Sequence, residues 1–354
     1  MRILTAFALL LAAWAFAPQA DAQQDNDFMA PLSPEPGLVG GLRGVTLIVT
    51  NIEQTAKLYG EAFGLSLEGP VASTDDLAAQ QRALWGMPGD MSWTLYIMRR
   101  TSVPEAAILR VLVVPSDTPA MRKSWDRREP GPYGIGFATE HTYALDARAI
   151  AAGFERTTPE VSDYTAERPD GSLYRIHEGS WYGPGFVRAI GVSRRDGMAP
   201  VGPIDPATGM GGPSYASQIL VSLDPMIAFF EGVLDFEVRS IRDWTVFNPP
   251  FRFAMVHPKG PINGHVAFVE YESQHAAPGT GVSPSPPHVG MAIWSFPTRN
   301  LDEVMRRARA FGADVQMAPQ VMAMPDLGCV RIASLRAPTG FLIEVFEPDD
   351  TCSS

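Results

Sequence analysis

The segment HVGMAIWS (288–295) places one imidazole, His288, at the head of an otherwise apolar run. A histidine there is either a hydrogen-bonded rim residue or a metal ligand. The second role needs oxygen or nitrogen partners from elsewhere in the chain that face the same way. Other chemistries have little footing. The sequence has no Walker loop, no dinucleotide-binding fingerprint, no nucleophile elbow and no Cys-x-x-Cys pair. GMGGP (209–213) reads as a flexible hinge rather than a phosphate loop, because no helical pattern follows it directly. The two cysteines, Cys329 and Cys352, leave a disulfide and two separate thiols equally open.

The elements that must position such groups follow from the chain as a whole. It has 354 residues, 45% of them hydrophobic, enough for a sizeable core and more than one domain. Its net charge of −11 argues against nucleic acid or an anionic membrane as partner and leaves a small molecule. Residues 1–22 combine Arg2, an apolar stretch and a closing Ala20-Asp21-Ala22, the pattern of a secretory signal peptide cut after Ala22. The expectation is an exported, periplasmic protein with no membrane contact after cleavage. Residues 23–41 are rich in Pro and Gly and read as a linker.

A repeat organises the rest. GVTLIVTNIEQTAKLYGEAFGLSLEG (44–69) alternates as a strand, then carries Ile52, Ala56, Tyr59, Ala62 and Phe63 at helical spacing. YASQILVSLDPMIAFFEGVLDFEVRS (215–240) repeats the plan without a gap, Gly44 falling on Tyr215 and Tyr59 on Phe230. Two further openings, YGIGFATEHTYALDARAIAAGFE (133–155) and HVGMAIWSFPTRNLDEVMRRARAFGADV (288–315), end their helices in Gly153 and Gly312. Each opening is followed by more strand material, such as AAILRVLVV, HVAFVEYE and PTGFLIEVFEP. The expectation is an α+β fold of four βαβββ units, paired to bury their open sheet faces into two half-open, barrel-like domains. The boundaries fall at 42–195 and 214–348, with a Gly/Pro-rich hinge at 196–213 and a tail at 349–354.

This plan resembles the vicinal-oxygen-chelate superfamily, which holds glyoxalases, extradiol dioxygenases and bleomycin-resistance proteins. VTLIVTNIEQTAKLYGEAFGL, ILVSLDPMIAFFEGVLDF and PTGFLIEVFEP carry the resemblance. In that superfamily the ligands of a metal come from the heads of first strands and from last strands inside a cup. The resemblance implies His288 as the head of unit four, Glu344 on its last strand and Glu270 on the last strand of unit three. That set requires units three and four to pair.

One imidazole and two carboxylates suit Fe, Mn, Zn or Ni with open positions for substrate oxygens. Tyr215 stands where the family supplies a fourth ligand, and is expected to donate a proton or a hydrogen bond to substrate. The site could also work with three ligands, recruit His257 or His265, or hold no metal. Glu270 and Glu344 have an alternative as rim carboxylates paired with Arg331 or Arg336. Units one and two, with Gly44, Tyr133 and Arg175 at the corresponding places, carry no metal pattern. Two functions follow. One is a metal-dependent enzyme of glyoxalase or dioxygenase type acting on a small oxygen-rich or aromatic substrate. The other is a metal-free protein that sequesters a small molecule. A homodimer stays open, because relatives pair units within or between chains.

Overall fold

The computed structural model describes residues 33, 35–167, 171–245, 249–260 and 263–352. The signal-peptide reading of 1–22 and most of the linker therefore lie outside the described residues. Unit one comprises β1 (Gly44–Val49), α1 (Ile52–Thr55) continuing as a π-helical stretch (Ala56–Ala62), β2 (Ser66–Glu68), α2 (Asp75–Trp85), β3 (Thr94–Arg99) and β4 (Ile108–Val113). Unit two comprises β5 (Gly131–Thr139), α3 (Thr142–Ala151), β6 (Ser162–Glu167), β7 (Leu173–Tyr182) and β8 (Arg188–Arg194). A short β9 (Ile204–Asp205) precedes unit three: β10 (Met210–Leu220), α4 (Asp224–Gly232), β11 (Phe236–Trp244), β12 (Phe251–Pro258) and β13 (Val266–Tyr271). Unit four comprises β14 (Gly290–Pro297), α5 (Leu301–Phe311), β15 (Asp314–Met324), β16 (Gly328–Arg336) and β17 (Leu342–Pro348).

Local chemistry sets these elements. Asn51 and Asn300 accept backbone N–H bonds from Glu53 and Glu303 and so start α1 and α5. Gly312 (φ 81°) and Gly153 (φ 87°) take the left-handed conformation that ends α5 and α3, as their positions in the sequence lead one to expect. Helix α2 was not anticipated, although STDDLAAQQRALWG holds its signals. Thr74 caps it through Leu77 N–H, and Gly86 (φ 63°) closes it.

All four units share one topology, the last strand lying parallel beside the first. Their pairing differs from expectation. The sheets run β15-β16-β17-β14-β1-β4-β3-β2 and β11-β12-β13-β10-β5-β8-β7-β6. Unit one therefore pairs with unit four, and unit two with unit three, through antiparallel contacts β1·β14 and β5·β10. The expected domains 42–195 and 214–348, and the pairing of three with four, are corrected accordingly. Helices α1, α3, α4 and α5 and one face of each sheet share a continuous apolar core, which leaves the other face of each sheet as a cup.

The segment 196–213 is not a hinge. It joins two units of one domain, and Met210–Pro213 already belong to β10. Its glycines serve close packing instead: a Cβ on Gly211 would meet Pro203 O at 2.4 Å, and one on Gly212 would meet Ala107 O at 2.9 Å. Order also begins before Leu42, since Val39 is buried and bridges to Thr298. At the other end Cys329 and Cys352 form a disulfide that ties the tail to β16. Among the described residues no helix is long and apolar enough to cross a membrane.

Candidate functional site: a closed cup and an open cup

The register identifies the positions that would carry ligands in each cup. Gly44 lies seven residues before the cap Asn51, and Ile293 seven before Asn300. Each head is followed two residues later by the partner of a last-strand position, Thr46 opposite Arg110 and Ser295 opposite Glu344. The first cup therefore presents Gly44, Ile293, Arg110 and Glu344. In the second cup the heads are Gly134, seven residues before the cap His141, and Tyr215, eight before the cap Leu223, and the ladder adds Ile190 and Ala267, from Gly136 opposite Ile190 and Ser217 opposite Ala267.

The expected metal set is thus dispersed. His288 precedes β14 rather than heading it, and its Nδ1 lies 3.0 Å from Ser285 O. Glu270 sits in the other sheet, opposite Arg252 in the ladder. Its Oε2 accepts the Leu223 N–H at 2.7 Å, at the start of α4, and lies 3.6 Å from Arg252. Glu344 alone is at a ligand position. The error has a physical cause: strand pairing between units is non-local, so a histidine near a strand and a carboxylate on another cannot be assigned to one cup by spacing.

In the first cup a guanidinium stands where an ion would. Arg110 Nη1 donates to Glu344 at 2.9 and 3.1 Å and to Thr46 Oγ1 at 3.1 Å, while Nη2 and Nε reach Asp326 at 2.6 and 2.9 Å. Glu344 also accepts from Trp85 Nε1 at 2.7 Å and from Ser295 Oγ. Trp85 comes from α2, which packs on β15 and closes this cup with a second apolar cluster around Leu112, Ile293 and Phe346. Both oxygens of Glu344 are committed, and the other three ligand positions hold glycine, isoleucine and arginine. The donor set does not fit a divalent ion. Glu344 is a paired carboxylate, as the alternative reading held, but its partner is Arg110. Arg331 serves Asp302 and Glu347 instead, and Arg336 lies 3.6 Å from Asp314. One signal in the sequence marked this cluster: Arg110 is the lone charge within AAILRVLVV, and a charge in a buried strand needs a partner.

The second cup has no counterpart of α2 over it among the described residues, and in that sense is open. Its apolar patch is small, built around Tyr174, Ile176, Ile190, Val192 and Tyr215, and Tyr164 on its wall is 39% exposed. A bulge opposite Ser217/Gln218 leaves Tyr133 as the extra residue of β5, a device that re-aims a side chain. Arg188 and Arg122 lie over its ring at 4.6 and 5.5 Å. Tyr215 lies across Gly136, where a Cβ would come within 1.9 Å of the ring. It heads a stack of three rings: Tyr215 to His265 at 4.9 Å and His265 to His257 at 4.6 Å, nearly parallel throughout.

The charges in this cup are uneven. Burial, then Arg239 and Arg194, hold His257 down at about 3, and His265 is lowered by its burial, then by His257 and by the same two arginines. Both imidazoles are neutral near pH 7. Glu178, which accepts from Tyr164 Oη at 3.2 Å, is raised by burial. Tyr215 is raised well above its ordinary value by burial and then by Glu178, so it remains a neutral phenol. Its expected role as a hydrogen-bonder keeps its chemistry but has no metal beside it. Arg188 Nε, Arg194 Nε, Arg239 Nε and Nη1, and both ring nitrogens of His257 find no hydrogen-bond partner among the described residues. Arg175 lies away from this set and pairs with Asp163. Among the described residues no group of three or more His, Cys, Asp or Glu could hold a metal. Sequence reasoning missed Arg188, Arg194, Glu178 and Tyr164, which lie on the three last strands of unit two, and Arg239, which joins them from unit three when the two units pair.

Residues 215–345 match the model of the Glyoxalase/Bleomycin resistance protein/Dioxygenase superfamily. The fold is shared with glyoxalase I from Zea mays, at 14% identity and a TM-score of 0.57, covering 87% of this chain and 92% of that one. It is also shared with a putative dioxygenase from Bacillus subtilis subsp. subtilis str. 168, at 13% identity and a TM-score of 0.54, covering 88% and 86%. No curated protein matches the chain in sequence. The resemblance carried by the repeated strand–helix openings is borne out, and the four-unit α+β architecture with it.

Proposed function

We propose that this chain, a protein of the vicinal-oxygen-chelate fold, binds a small planar anion in its second cup without a metal ion. An aromatic carboxylate or a phenolate has the required chemistry. One observation carries the reading: three arginines, Arg188, Arg194 and Arg239, line a cup whose nearby carboxyl, Glu178, is itself biased toward its neutral form. In a chain of net charge −11 such a local excess of guanidinium favours an anionic ligand. Tyr133, Tyr215 and the His265–His257 stack offer flat faces for its ring.

The test is calorimetric titration with salicylate and related aromatic acids in the presence of a chelator. Binding is expected to persist in chelator and to weaken about tenfold or more in Arg239→Met, as the loss of a charge-assisted hydrogen bond entails. Binding that appears only with added Fe, Mn, Zn or Ni would sink the proposal. A catalytic reading rests on a second observation, the Tyr164–Glu178 pair, in which a phenol donates to a carboxyl that burial raises toward its protonated form. Turnover of a bound carbonyl acid, lost in Glu178→Gln while binding survives, would distinguish an enzyme from a sequestering protein. The disulfide between Cys329 and Cys352 supports export to an oxidising compartment such as the periplasm.

A further inference from the structure

A second pocket, of about 610 Å³, lies at the seam where the end of β10 and the start of α4 meet the loop 279–284 and the β16–β17 turn. Its chemistry is opposite to that of the open cup. No charged side chain lines it, and its walls are built from Met121, Leu220, Val221, Met226 and several prolines. One polar side chain stands out. Gln218 is 1% exposed, lines the pocket, and its Nε2 finds no hydrogen-bond partner among the described residues. A primary amide held dry beside an apolar space costs free energy unless something in that space pairs with it. At the mouth, Val221 is 75% exposed. The Gly-rich loop that covers the pocket is tied down by Thr280 Oγ1, which donates to Met121 O at 2.8 Å and accepts from Val282 N–H at 3.0 Å.

From this arrangement we infer that the seam is a binding site for a small neutral apolar molecule carrying one carbonyl or hydroxyl, which pairs with the Gln218 amide. The volume is in the range of drug-sized ligand sites, and the lack of any charge excludes the anions favoured by the open cup. The inference stands apart from the proposed function, since no residue is shared between the two sites.

Prodan, a neutral naphthyl ketone, is the probe. Titrated into the full chain in chelator, it is expected to saturate at one equivalent with blue-shifted emission. Gln218→Leu should weaken it about tenfold, and Val221→Trp, a change at an exposed position, should block the mouth and abolish it. Arg239→Met should leave it unchanged. Absence of saturable binding, or binding indifferent to Val221→Trp, would overturn the inference. So would loss in Arg239→Met, which would place the probe in the open cup.

Discussion

Replacing Arg110 by Met tests whether the first cup is held by a guanidinium rather than an ion. The Arg110 side chain is 2% exposed, and its partners Glu344 and Asp326 are each 0% exposed. Removing it leaves two carboxylates in a dry cup with no opposing charge. Breaking a buried pair in this way costs about 3–5 kcal/mol. At roughly 2–4 °C per kcal/mol, the midpoint of heat unfolding should fall by about 6–20 °C. The neutral triple variant Arg110→Met/Glu344→Gln/Asp326→Asn should recover more than half of that loss, because the cost lies in the unpaired charges and not in the absent side chain. Gln at 344 can still accept the Trp85 N–H bond. Urea and heat unfolding of wild type and both variants, with and without chelator, supply the measurement. A single variant as stable as wild type, or a wild type that loses stability in chelator, would refute the reasoning.

Other consequences are open to the same kind of check. His257 is held down at about 3, against an ordinary 6.5, so between those values the unfolded chain binds a proton that the folded chain refuses. Stability is therefore full above about pH 6.5 and falls as pH drops toward 3. His257→Phe should flatten that slope by about 1 kcal/mol per pH unit, read from urea midpoints across the window. Gly136→Ala places a methyl within 1.9 Å of the Tyr215 ring; it should displace that ring from the His265 stack, with a changed near-ultraviolet dichroism and weaker binding in the open cup. Glu270→Ala removes the acceptor of the Leu223 N–H at the start of α4 and should cost about 1 kcal/mol, like the loss of a helix cap, with no change in metal content by elemental analysis.

The sequence by itself determined the units. Alternation along Gly44–Val49, helical spacing through Tyr59 and Phe63, and the caps at Asn51, Asn300 and Gly312 are local signals, and each acts within a few residues of where it is written. The repeat made the likeness to a known fold visible for the same reason. Even the true head of unit four was within reach, since counting back from Asn300 as Gly44 stands to Asn51 lands on Ile293 and passes over His288. Helix α2 was legible in its Thr74 cap and Gly86 stop.

Only the tertiary structure decided which units share a cup. The antiparallel contacts β1·β14 and β5·β10 join strands far apart in the chain, and period-two patterning is equally satisfied by any partner that covers the same face. That choice sent Glu270 to one sheet and Glu344 to the other. It set Arg110 against Glu344 in a closed cup, and it brought Arg194 of unit two and Arg239 of unit three to His257. The identity of a site depends on which side chains converge in space, and convergence between units is a property of the packed fold, not of spacing along the chain.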